Sequence, residues 1–125
     1  MNILVGTDGS EGASRAVEFA ANLSARLKAP LKIVHVVTLD DPPLDANNDY
    51  ASIARRRAES LGAVEVHSES LAGSDIAAAI VDAAHRGNAD FIVVGKRGLS
   101  RVAGLLLGSV SQKLVSAAPC VVTVV

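Results

Sequence analysis

The chain is poor in the features that small folds use as staples. It has one cysteine in 125 residues, so no internal disulfide can form, and a reducing cytoplasm is the expected setting. Tryptophan is absent, and one tyrosine and two phenylalanines bring the aromatic content to only 2%. Any core must therefore be built from Val, Ile, Leu and Ala. Neither sign of charge prevails: 12 Lys and Arg stand against 13 Asp and Glu, a net charge of −1. With so few aromatics, that balance points away from a nucleic-acid partner. Long apolar runs are missing too. Gly, Ser or Asp interrupts each one well short of the roughly 20 residues that span a bilayer, so no membrane association is expected. The opening MNILVGTDGS has no basic region, long apolar stretch or cleavage site of an export signal.

What is present is a globular composition. Half of the residues are apolar and 20% are charged, which excludes intrinsic disorder. The length suits one domain, residues 1–125, and too little chain is left for a second. A chain of this mass can bury about two thirds of its extended surface without disulfides or metals.

Short β-branched runs alternate with Ala-rich helical patterns, the mark of βαβ units around a parallel sheet. Asn2 to Gly6 reads as the first strand. Ser10 can cap a helix whose inward face carries Ala13, Ala16, Val17, Ala20, Leu23 and Leu27, with Pro30 stopping it. Leu31 to Val37 is the second strand, and Thr38 to Asn48 an acidic, proline-stiffened loop. A helix over Asp49 to Leu61 ends at Gly62 and carries Arg55, Arg56 and Arg57 on a solvated face. Ala63 to Ser70 alternates apolar and polar residues, as a strand at a sheet edge does. Ser74 or Asp75 caps a helix with Ile76, Ala77, Ile80, Val81 and Ala84 inward. Phe91 to Val94 is wholly apolar, as a central strand is. A long connection punctuated by glycines, Gly95 to Gly108, leads to a helix over Ser109 to Ala117. Pro119 breaks it, and Val121 to Val125 is the last strand. The count is five strands and four helices.

Catalytic constellations are scarce. His35, His67 and His85 share no metal-like spacing with Cys or carboxylates and read as structural. Cys120 reads as a small buried apolar side chain. No nucleophile elbow, Walker loop or G-x-G-x-x-G fingerprint is present. Two segments carry chemistry. In Gly6-Thr7-Asp8-Gly9-Ser10, a carboxylate follows a central strand; it can bind a ribose hydroxyl or a metal, or cap the helix. In Gly95-Lys96-Arg97-Gly98, nine residues, then Gly108-Ser109, glycines permit close backbone approach, and a helix N-terminus offers free amides to an anion. Lys96, Arg97 and Arg101 add positive charge. A long loop with turn glycines would have the same composition.

The spacing G-x2-G-x9-G-[ST], filled by Gly95, Gly98, Gly108 and Ser109, resembles the ATP-binding signature of the universal stress protein family. The opening ILVGTDGSEGASRAVEFAANLSARLKAPLKIVHVV is similar to that family's first βαβ unit, and the likeness runs from first strand to last. Three departures stand out: a short segment after the second strand, Lys96 and Arg101 where smaller residues are common, and Pro119-Cys120 in place of Cys-Pro. The resemblance implies a Rossmann-like α/β fold, a single open parallel five-stranded sheet in the order 3-2-1-4-5 with helices on both faces. In that order the switch point lies between strands 1 and 4, where open α/β sheets bind ligands. It implies ATP as ligand. Asp8 would meet the ribose or a phosphate-bound Mg²⁺, the Val36 backbone would read the adenine edge, and Gly98, Gly108 and Ser109 would cradle phosphates. It implies a homodimer through Val121 to Val125, which would cover an uncharged β-branched edge. The expected function is a nucleotide-dependent regulatory module of the stress response, acting through an unidentified protein partner. The alternatives are a slow ATPase or phosphotransferase that modifies its own Ser109 or Ser111, and a nucleotide-free structural dimer.

Overall fold

The computed structural model describes residues 1–96 and 108–125. In chain order the elements are β1 (Ile3–Gly6), α1 (Glu11–Leu27), β2 (Pro30–Val37), α2 (Tyr50–Ser60), β3 (Val64–Ala72), α3 (Ile76–Arg86), β4 (Phe91–Val94), α4 (Ser109–Ala117) and β5 (Val121–Val124). The strands form one sheet in the order β3-β2-β1-β4-β5, and every neighbouring pair is parallel. This is the expected architecture, with the half-polar third strand at one edge and the apolar fourth inside.

Alternation along the strands builds two cores. Ile3, Val5, Leu31, Ile33 and Val93 face one way and pack on the alanines of α1 and α2, Ala16, Ala20, Ala54 and Ala58 among them. Leu4, Val34, Val36, Ile92 and Val94 face the other way and pack on α3 and on Leu114 of α4. The helices present mostly Ala because the sheet already supplies the bulk.

Three details differ from the sequence expectation. Leu27 does not turn inward: it is 48% exposed, on the last turn before the chain bends through Lys28 at φ 53°. Ser24 takes the inward place; its Oγ donates to Ala29 O (2.7 Å) and accepts from Val64 N–H (3.0 Å). Pro30 is not only a helix stop but the first residue of β2, a position that needs no N–H donor. The third strand runs on to Ala72 and holds a bulge. Glu65 sits at φ 45°, and the register shifts between Pro30 and Leu31.

The three arginines of α2 lie exposed, as expected; Arg57 pairs with Glu18 at 2.9 Å and Arg55 with Glu59 at 3.5 Å. His67 and His85 are exposed, and His35 is buried. Cys120 is half-buried, and burial, aided by Asp90, pushes its thiol up from the ordinary range, which favours the protonated form at neutral pH. No helix among the described residues is long and apolar enough to cross a membrane.

Candidate functional site

β1 ends at Gly6, and the chain then turns on its own side chains. Thr7 N–H still bonds Val34 O (2.9 Å). Thr7 Oγ1 accepts from Gly9 N–H (3.2 Å), Asp8 Oδ1 from Ser10 N–H (2.8 Å), and Ser10 Oγ from Ala13 N–H (3.1 Å). Gly9 closes the turn at φ +79°, where a Cβ is disfavoured. The Asp8 carboxylate is thus aimed by its own turn, and its Oδ2 takes no part in it.

β2 runs past the end of β1. Backbone groups on one side of a strand recur at every second residue. Val34 O faces β1, so the next groups on that side are the N–H and C=O of Val36, beyond the point where β1 has ended. The far side of β2 continues its ladder with β3, and Val37 O accepts from Gly73 N–H (3.0 Å).

On the other flank, β4 gives way to Gly95. A Cβ there would stand 2.8 Å from both the carbonyl carbon and the oxygen of Gly12, in the first turn of α1. Gly95 is therefore required by packing between β4 and α1. Lys96 is exposed; its N–H bonds Val125 O (2.8 Å), and its carbonyl accepts from Gly108 N–H (2.9 Å). That bond brings together the two ends of the long connection. Arg97, Gly98 and Arg101 lie outside the described residues.

Gly108 is the N-cap of α4, with φ −71° and ψ 165°, and makes no side-chain cap bond. The first α4 hydrogen bond runs from Gln112 N–H to Gly108 O (3.1 Å), so the amides of Ser109, Val110 and Ser111 have no partner within the helix. Ser109 is exposed. Ser111 is 2% exposed, and its Oγ donates to Gly95 O (2.8 Å), pinning α4 to the end of β4. Of the two serines named for self-modification, only Ser109 presents a hydroxyl to solvent.

These pieces line an open cleft, with Asp8, Val36, Gly95, Val110 and Ser111 on its walls. Ile76 and Ile80 of α3 also line it. Sequence reasoning placed those two in the core and missed their second role, because nothing in a helical period marks where the helix passes the end of the sheet. Asp8 is the one carboxylate among the described residues lining the cleft. Among the described residues no group of three or more His, Cys, Asp or Glu could hold a metal ion.

A second cavity, of about 180 Å³, shares Asp8 and Val36 with the first and is lined further by His35, Asp41, Leu44 and Tyr50. His35 is 6% exposed, and its Nδ1 has no hydrogen-bond partner. Burial lowers its pKa, against the weaker opposing pull of Asp41, Asp8 and Asp49, so the imidazole is neutral at pH 7.

The fold and cleft define a doubly wound α/β protein with its crevice at the topological switch point between β1 and β4. Comparison with known proteins sharpens this. The family model described as the universal stress protein family matches residues 1–125, and the chain belongs to that family. A universal stress protein of Thermus aquaticus is 37% identical over 98% of this chain and 96% of its own. A solved universal stress protein in complex with cAMP superposes with a TM-score of 0.83 at 33% identity, covering 100% of this chain and 95% of that one. One from Archaeoglobus fulgidus, in complex with dAMP, gives 0.75 at 25% identity over 99% and 96%.

Proposed function

We propose that this chain binds ATP, together with Mg²⁺, in the cleft between the Asp8 turn and the start of α4, and acts as a nucleotide-dependent regulatory module of the stress response. The observation that carries the reading is the start of α4, which has no side-chain cap and whose Val110 and Ser111 line the same cleft as Asp8 and Val36, while Gly108 and Ser109 are not among its lining residues. A helix N-terminus with unpartnered amides favours an anion. On the side of β2 that extends past β1, the Val36 backbone offers one donor and one acceptor, the pair an adenine edge needs. Relatives solved with cAMP and dAMP support an adenine nucleotide. Asp8 fits a magnesium ion that arrives with phosphates rather than one held by protein alone, since it is the one carboxylate on the cleft's described walls. The same scarcity favours a binding module over an efficient phosphoryl-transfer enzyme, which needs a positioned base as well.

Calorimetry with Mg-ATP tests this. Wild-type protein should bind. Ser109→Ala removes one hydrogen bond to a charged oxygen and should cost about 1.5–3 kcal/mol, roughly 10- to 150-fold in affinity. A folded wild-type protein that takes up no ATP overturns the proposal.

A homodimer through Val121 to Val125 belongs to the same reading, as the means by which nucleotide state reaches an unidentified protein partner. β5 is an edge strand, and Val121 is 56% exposed on it. Pairing with a second copy would cover both its backbone and its valines. Light scattering should give about twice 12.8 kDa. A monomer stable at tens of micromolar would remove the dimer from the reading.

A further inference from the structure

We propose that Tyr50, seated on Gly9 and braced by His35, is a positioning residue that holds the Asp8 carboxylate in place for the nucleotide. The inference rests on the nucleotide reading above and adds a control point outside the signature glycines.

Tyr50 is the only tyrosine in the chain. It is the first residue of α2, behind the N-cap Asp49, whose carboxylate accepts from Ser52 N–H (3.3 Å) and Ser52 Oγ (2.8 Å). From that anchored helix start the ring reaches across to the β1–α1 turn. It fills the space over Gly9 so fully that a Cβ there would stand 2.4 Å from Cε1 and 2.5 Å from Cδ1. Gly9 is the residue between Asp8 and Ser10, and the Asp8–Ser10 hydrogen bond spans it. A ring pressed on that residue therefore limits the movement of the turn that aims the carboxylate.

His35 completes the arrangement. Its ring meets Tyr50 edge to face, with centroids 5.2 Å apart and planes at 65°, a favourable aromatic geometry. The charged groups that act on it come from three segments: Asp8 from the β1–α1 turn, Asp41 from the loop after β2, and Asp49 from the cap of α2. Desolvation outweighs all three, and a neutral ring packs against Tyr50 without bringing a charge beside Asp8. The second cavity lies where His35, Tyr50 and Asp8 come together, so the short segment after β2 is coupled to the nucleotide cleft through side chains that border both.

Two readouts test the proposal. The first is calorimetry with Mg-ATP on wild type, Tyr50→Ala, Tyr50→Phe and Gly9→Ala, and on Tyr50→Ala in the D8N background. Tyr50→Ala should weaken binding by about tenfold, within the range of coupled neighbours. Tyr50→Phe keeps the ring and should stay within about twofold of wild type. Gly9→Ala attacks the same contact from the other side and adds the strain of a Cβ at φ +79°, so it should weaken binding at least as much as Tyr50→Ala. In the D8N background Tyr50→Ala should cost less than about twofold, because the carboxylate it positions is already gone. The second readout is hydrogen exchange without ligand: Tyr50→Ala should speed exchange in the peptide spanning Thr7 to Ser14 and leave that of α4 unchanged. Equal losses with and without Asp8, or unaltered exchange in the turn, overturn the proposal. If wild type binds no ATP, the nucleotide reading fails by itself, and the exchange readout still decides whether Tyr50 holds the turn.

Discussion

Two helix starts stand on the cleft and are finished in opposite ways. α1 is closed on itself: Ser10 caps Ala13 N–H, Asp8 takes Ser10 N–H, and Glu11 sits in the first turn. α4 is left open, with Gly108 as its cap, no side-chain bond and no acidic residue in its first turn. α2 and α3 follow α1, each capped by an aspartate, Asp49 and Asp75. A glycine cap costs a helix only a few tenths of a kcal/mol against serine, so the open start of α4 is a small loss for the free protein. It leaves three amides without a partner inside the helix. Among the described helices, α4 alone lacks a side-chain cap, and it does so at a start where an anion could restore the lost stability.

Gly95 lies between these two starts, and breaking it should have the largest effect. It presses on Gly12 of α1 on one side, and on the other its carbonyl holds Ser111 of α4. Gly95→Val places carbon against backbone that cannot rotate away. Urea unfolding should show a loss of about 3 kcal/mol, the upper end of the usual overpacking cost, and ATP binding should vanish with it. A loss below about 1 kcal/mol would mean that the two starts are not held together through Gly95.

Much of this was legible in the sequence. Periodicity placed the strands and helices closely because apolar alternation and Ala-rich faces agree with the layers they enter. Ser10 and Pro119 punctuated the helices as their capping and breaking chemistry dictates, and of the two caps offered for α3 the structure uses Asp75; Asp49 and Gly108, read as a helix start and a loop end, prove to be the caps of α2 and α4. The Asp8 turn was visible as a carboxylate after a strand. Asp8 does not cap α1, a place Ser10 takes; its Oδ1 holds the turn before the cap, and the residue also lines the cleft. Leu27 was misread because a helical period does not say where the chain turns off the core. Tyr50 and His35 gave no signal for a different reason. They are distant in sequence and meet only because β2 runs past β1 and α2 starts above that overhang. Gly95 was read as permitting close backbone approach, and it does; that the approach is to Gly12 of α1 is something no local pattern encodes.

The smallest expected change in stability is also the most discriminating. Ser109 is exposed at the first position of α4, so a new side chain there meets no core. Ser109→Asp brings a carboxylate to a helix start that has no other, and this should stabilise the ligand-free protein by about 0.3–1 kcal/mol at low salt. The gain should fade as salt screens it. The same carboxylate would stand where the phosphates are proposed to lie, and like charges repel, so affinity for Mg-ATP should fall by at least about tenfold, the equivalent of 1.4 kcal/mol. Stability and binding then move in opposite directions from one substitution. That outcome is specific to an open start kept for an anion, because at Ser10 the same exchange merely swaps one good cap for another. Urea midpoints without ligand and calorimetry with ligand measure the two effects separately. If the variant gains stability and binds ATP as wild type does, the phosphates lie elsewhere, and the glycine cap of α4 is no more than a tolerated imperfection.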